Sequence, residues 1–253
     1  MVPRTGVIAA LAFAAVSAQA AAPTTAGKPA GNIVIVPGAF VDASGWHVVH
    51  DILSQKGYKV TVVPASHASL DDDIALTRRI LLQQFGNVVL VGSGVGGMVI
   101  SHAGTGAKVK SLVYVAALVP EVGESAAQLT GAMPGATNAI KADFSGLRWF
   151  DRAQFHADFA ADLTPNRANF MAASQSPIGQ AYLGTPSYTA VWHGKPSYAI
   201  VATRDRVLDP DAQRMMYGRA HAKSVEIDAS HAVYISRPEE VARVIERAAR
   251  DTL

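Results

Sequence analysis

Residues 87–100 read NVVLVGSGVGGMVI, and this stretch decides the fold. Val88 to Gly92 is a short run of apolar and small residues, which fits a strand buried on both faces. A tight glycine turn follows, and Val95 to His102 continues as a helix. In an open α/β sheet such a turn lies at the carboxyl end of a strand, where ligands bind. Two chemistries share these letters. Gly92, Gly94 and Gly97 have the spacing of a G-x-G-x-x-G fingerprint, whose glycines let a backbone approach a pyrophosphate at a helix N-terminus. The same segment also reads as a G-x-S-x-G nucleophile elbow with Gly94 in place of the serine.

The rest of the chain separates the two readings. Upstream, Asn32 to Val36 is a buried parallel strand broken by Pro37-Gly38-Ala39-Phe40. A helix is expected from Ser44 to Lys56, a strand from Tyr58 to Val63, and a helix from Asp71 to Phe85 with its acids at the dipole-favoured start. The glycine turn therefore follows the third strand, whereas the dinucleotide fingerprint belongs on the first. Downstream, Val109 to Ala117 is another buried strand. The acid that the fingerprint wants about 20 residues on is absent, because Ala116-Ala117-Leu118 stand there and Glu121 comes late. The elbow is the better reading.

From Val119 to about Pro196 the alternation of strand and helix stops. This stretch carries two expected helices, Arg152 to Ala161 and Pro165 to Ser174. An insertion of this length between strands has the character of a cap. Its aromatics (Phe144, Trp149, Phe150, Phe155, Phe159, Phe170, Tyr182 and Trp192) either line a pocket or pack the cap onto its domain. A strand at Ser197 to Thr203, a helix at Asp209 to Ala220, a strand at Ser224 to Asp228 and an amphipathic helix at Pro238 to Arg250 close the chain. Alternation of this kind implies one domain, residues 32–253, around a mostly parallel sheet covered on both faces.

Polar segments gather where strands end. Asp205 follows the SYAIVAT strand, and His231 follows the last one. Nucleophile position, acid and histidine thus occur in the order used by Ser-His-Asp hydrolases of the α/β type. VPGAFVDASGW, VVLVGSGVGGMVI, the segment around Asp205 and Ser230-His231-Ala232-Val233-Tyr234 together resemble a bacterial branch of the α/β-hydrolase superfamily, related to plant methylesterases and hydroxynitrile lyases. The resemblance covers about Asn32 to Arg250. It implies an α/β-hydrolase fold with a helical cap insertion at about 119–196, and hydrolysis of carboxyl esters or related small molecules. It further implies Asp205 as triad acid, His231 as base, and the backbone N–H groups of Ala39 and Val95 as the oxyanion hole. Gly94 stands at the nucleophile position, and Pro37 replaces the usual histidine before the oxyanion-loop glycine. Glycine offers no atom with which to attack a carbonyl. Three explanations are therefore expected to compete: chemistry run directly through His231, binding of a small ligand without turnover, or Gly94 as an introduced replacement of an ordinary serine. Ser93 lies one residue early, and the elbow turns its side chain away from the pocket.

Composition narrows the partners. Among 253 residues, 49% are hydrophobic and 17% charged, and the net charge is +2 with both signs scattered. No basic run marks a nucleic-acid footprint. With no cysteine, disulfides, thiolate metal sites and a cysteine nucleophile are excluded. His47 and His50 lack a third ligand, and His102 packs or caps the elbow helix. No metal or organic cofactor is implied by any spacing, and an apolar, ester-like small molecule is the expected partner. Arg4, the apolar run Gly6 to Val16 and Ala18-Gln19-Ala20 have the pattern of a signal peptide. Residues 1–20 are expected to direct export to the periplasm or medium, followed by a loose leader at 21–31.

Overall fold

The computed structural model describes Met1 and residues 31–253. Residues 2–20 of the expected signal peptide and residues 21–30 of the leader lie outside the described residues. The core elements run in the expected order: β1 (Asn32–Val36), α1 (His47–Gln55), β2 (Lys59–Val62), α2 (Leu70–Gln83), β3 (Val88–Gly94), α3 (Gly96–Ala103) and β4 (Val109–Ala117). The cap adds α4 (Ala126–Ala132), β5 (Ile140–Ala142), β6 (Leu147–Phe150), α5 (Arg152–Phe159), α6 (Pro165–Ala173), β7 (Ile178–Gly179) and α7 (Gln180–Gly184). The chain returns to the core with β8 (Ser197–Ala202), α8 (Pro210–Arg219), β9 (Lys223–Ile227), α9 (Val233–Ser236) and α10 (Pro238–Thr252).

Six strands form one sheet in the order β2-β1-β3-β4-β8-β9, and every pairing is parallel. The apolar runs of its central strands follow from burial on both faces. Val34, Val36, Leu90, Leu112 and Tyr114 pack on one side with α2, α3 and the cap. Ile33, Ile35, Val89, Val91, Val113 and Val115 alternate with them and pack on the other side against α1 and α10. Residues alternate between faces along a strand, so a strand covered on both sides is apolar at most of its positions. The amphipathic α10 supplies Val241, Val244, Ile245 and Ala248 to the second side. Ser69 caps α2 by accepting from the Asp72 N–H, and Asp71, Asp72 and Asp73 occupy its first turn, where the helix dipole favours them.

The cap holds the two expected helices, and also a three-stranded antiparallel sheet in the order β5-β6-β7. Strands of two to four residues are too short for their periodicity to be read from sequence. The β5–β6 turn closes on Asp143, whose Oδ1 accepts from the N–H groups of Ser145 (2.8 Å) and Leu147 (3.0 Å), with Gly146 in the left-handed region at φ +81°. The cap aromatics chiefly pack: Phe150, Phe155 and Phe159 form a buried cluster at 4.7–5.7 Å between rings, whereas Phe144 and Phe170 face solvent. Among the described residues no helix is long and apolar enough to cross a membrane.

His102 ties the cap to the elbow helix. Its Nδ1–H donates to the Met98 carbonyl (2.6 Å), and Nε2 accepts from the Tyr188 N–H (3.2 Å). Only the neutral ring can do both. Burial lowers its pKa, partly offset by the Met98 bond, with Arg78 lowering it and Asp71 raising it more weakly. Below the ordinary value of about 6.5 the unfolded chain therefore binds a proton that the native His102 refuses, and stability falls with pH by up to about 1.4 kcal/mol per unit. Thermal melts from pH 8 to 5 should show a decline that begins below about pH 6.5 and is shallower in His102→Gln. Parallel pH profiles for the two proteins would overturn this assignment.

Candidate active site

Four loops at the carboxyl ends of parallel strands meet beneath the cap. The loop after β1 brings Gly38 and Ala39, β3 ends at Gly94, the loop after β8 brings Asp205, and the loop after β9 brings His231. Gly94 has φ +50°, the sharp left-handed conformation of an elbow. A Cβ built on Gly94 would lie 3.4 Å from His231 Nε2 and 3.5 Å from Gly38 Cα. Both are ordinary contacts, so the backbone leaves room for a side chain aimed at the imidazole.

His231 Nδ1 lies 2.7 Å from Asp205 Oδ2, and both residues are buried. Asp205 is held by more than this bond. Its Oδ1 accepts from the N–H groups of Val207 (2.8 Å) and Leu208 (2.9 Å), and Oδ2 also accepts from Gln213 Nε2 (2.9 Å). Gln213 in turn accepts from the Ala202 N–H at the end of β8 (3.0 Å). A buried carboxylate needs this set of donors to offset its desolvation. With Nδ1 turned to Asp205, the opposite ring nitrogen, Nε2, faces Gly94.

The cap positions the histidine loop. Asp162 accepts from the Ser230 N–H (3.0 Å) and hydroxyl (2.5 Å), the Ala232 N–H donates to the Phe159 carbonyl (3.1 Å), and the Phe159 ring meets the imidazole edge-on at 4.8 Å. The loop after β1 is fixed from two directions. The Gly38 N–H donates to Ser93 Oγ (3.1 Å), and the Phe40 N–H donates to the Ser176 carbonyl (2.9 Å). Ser93 thus points at this loop. Among the described residues neither Ala39 N–H nor Val95 N–H finds an acceptor, and both residues border the cavity with Gly94 and His231.

The cavity measures about 180 Å³. Core and cap contribute mostly apolar walls, including Phe40, Leu118, Ile140, Ile178 and Leu183, together with Thr130 and Arg148. The expected cap aromatics are not among its walls. Arg148, Gln213 and Asp162 carry no signal in the sequence, because each reaches its partner across 32, eight and 68 residues respectively. His47 and His50 lie at the surface, bonded to the Ser44 carbonyl and to Asp51. No group of three side chains able to hold a metal ion occurs among the described residues.

The glycines of the elbow answer to packing. A Cβ on Gly92 would lie 2.6 Å from the Gly96 carbonyl oxygen, one on Gly96 2.4 Å from that of Val36, and one on Gly97 2.0 Å from that of Leu118. Each therefore allows a strand and a helix to approach backbone to backbone.

A family model described as the alpha/beta hydrolase family matches residues 33–244. Similar solved structures include a pyrethroid hydrolase from Sphingobium faniae JZ-2, 24% identical over 87% of this chain and 97% of that one, with a TM-score of 0.72. A polyneuridine aldehyde esterase is 17% identical over 85% and 97% (TM-score 0.73), and a methylesterase from Arabidopsis is 15% identical over 87% and 99% (TM-score 0.73). At these identities the likeness is one of fold. No curated protein sequence matches the chain at a significant level.

Proposed function

Since the chain belongs to the alpha/beta hydrolase family, we propose that it hydrolyses small carboxyl esters with His231 activating water directly. The observation that carries this reading is the placement of His231 Nε2 beside Gly94, with the opposite ring nitrogen 2.7 Å from Asp205. Glycine leaves the space of a hydroxymethyl group there. That space suits one water, whose share of liquid volume is about 30 Å³. In this scheme Nε2 takes a proton from water as the water oxygen bonds to the ester carbonyl carbon. The carbonyl π pair moves to oxygen, which the Ala39 and Val95 N–H groups hold. The imidazolium, stabilised by Asp205, then gives its proton to the departing alkoxide as the C–O bond breaks. The products are a carboxylic acid and an alcohol, with no acyl-enzyme.

The test is hydrolysis of short-chain aryl esters by the protein and its His231→Ala variant. General-base catalysis contributes about 10²–10⁴-fold, so the variant should lose about a hundredfold or more of kcat/KM. A fluorophosphonate should leave the parent active and unlabelled. An inert parent, or a variant with unchanged turnover, would sink direct activation of water. Stabilisation of an inert parent by apolar ester analogues would instead favour ligand binding without turnover.

A further inference from the structure

The walls of the cavity are apolar apart from Thr130, His231 and one guanidinium. Arg148 reaches the cavity because of its place in the cap sheet. In the β5–β6 pairing Ile140 opposes Phe150 and Ala142 opposes Arg148, and in the β6–β7 pairing Arg148 opposes Ile178. Residues directly opposite share a face, so Ile140, Arg148 and Ile178 project together, and all three border the cavity. Lys141 and Trp149, which oppose each other, occupy the other face.

Arg148 has no carboxylate partner among the described residues. Its hydrogen bond is to the neutral Gln180 amide, with Nε 2.5 Å from Oε1. That solvent-exposed bond engages Nε, and neither Nη group has a hydrogen-bond partner among the described residues. The acids of the cap are engaged elsewhere. Asp143 serves Ser145, Leu147 and Trp149, Asp151 caps α5 by accepting from the Ala153 N–H, Asp158 pairs with Arg206, Glu124 with Arg219, Glu121 with His193, and Asp162 with Ser230. An unneutralised guanidinium at an apolar wall is the arrangement that recognises a carboxylate through two parallel hydrogen bonds.

We infer that the cavity takes esters that carry a carboxylate at the end remote from the scissile bond, and that Arg148 is the residue that selects them. This rests on the reading of the cavity as an ester site. The size of the cavity fits a compact molecule, since a cavity of about 150 Å³ accepts benzene. Half-esters of short dicarboxylic acids have the required form, with an ester at one end, a few methylenes between, and an anion at the other.

The experiment measures binding without turnover. Ligand-observed NMR titrations of the intact protein compare 4-oxopentanoate and 5-oxohexanoate with the corresponding oxo-amides, which have the same shape and no charge. A charged hydrogen-bond partner should favour the acids by about ten- to a hundredfold, and high salt should weaken them selectively. In Arg148→Gln the preference should vanish while the amides bind as before, which also reports that the variant is folded. Arg148→Lys should keep part of the preference. Equal affinities for acid and amide, binding of neither, or a preference that survives in Arg148→Gln overturns the inference. If the preference holds but the protein and its Gly94→Ser variant hydrolyse no ester, recognition stands and the ester reading falls. If ester hydrolysis holds and Arg148→Gln changes no preference, the reverse is true.

Discussion

Gly94→Ser is expected to raise aryl-ester hydrolysis by about a thousandfold or more, and to make the protein a target of fluorophosphonates. In a protease where triad loss has been measured, removing the nucleophile costs about 10⁶ in turnover, so even an imperfectly aligned serine should recover a large part. The geometry supports good alignment. The new Cβ meets His231 Nε2 at 3.4 Å and Gly38 Cα at 3.5 Å, distances that need no movement, and the hydroxyl one bond further on falls within hydrogen-bond reach of the imidazole. The cost is conformational, because a side chain at φ +50° is disfavoured by about 1–2 kcal/mol. A modest drop in melting temperature should therefore accompany the gain in rate. Rates and intact-mass labelling check the prediction together. A folded variant that neither turns over ester nor takes up one phosphonate would show that the imidazole and the oxyanion-side amides do not share a productive alignment.

The largest loss of stability is expected from Gly97→Ala. The added methyl would stand 2.0 Å from the Leu118 carbonyl oxygen and 3.0 Å from the Leu118 backbone carbon and nitrogen. The obstruction is main chain on both sides, so no side-chain rotation relieves it. Either α3 or the segment after β4 must shift, and that segment also supplies the Leu118 N–H that donates to the Gly94 carbonyl (3.0 Å). Overpacking in a tight core costs about 1–3 kcal/mol and sometimes more, and this position belongs at the upper end or beyond. Urea titration should give a much lower midpoint, or no soluble protein. Gly106→Ala is the control, since nothing lies within 4 Å of its added methyl. Equal midpoints for the two variants would remove close packing as the reason for this glycine.

The central strands were legible because burial on both faces writes an unbroken apolar run, as in Ile33–Val36 and Leu112–Ala117. Asp205 and His231 were legible as candidates because each directly follows a strand of a parallel sheet. The glycine pattern was ambiguous, since close helix–strand approach and phosphate binding demand the same missing side chain. Only the positions of the Val36, Gly96 and Leu118 carbonyls reveal the packing need. The cap sheet was illegible for a different reason. Its strands of two to four residues carry no period, and the hydrogen bonds that hold them are supplied by Asp143 and Gln175 rather than by local propensity. Arg148 was illegible because its significance depends on which face of β6 it takes, and on acids elsewhere in the cap being paired with other groups.

The attachments of the cap bear on how such proteins diversify. The Asp162–Ser230 clamp and the Phe159–Ala232 bond hold the loop of His231, and the Ser176 carbonyl holds the loop of Ala39. Both loops belong to the core by sequence but take their final shape from the insertion. Recombination that exchanged residues 119–196 with those of a homologue would thus do more than refit the walls of the binding site. It would also unfasten the loops that carry His231 and Ala39. Insertion and strand-end loops have to be inherited as one unit, and a new specificity in this lineage is more readily reached by single replacements on the cavity face of the cap sheet than by wholesale exchange.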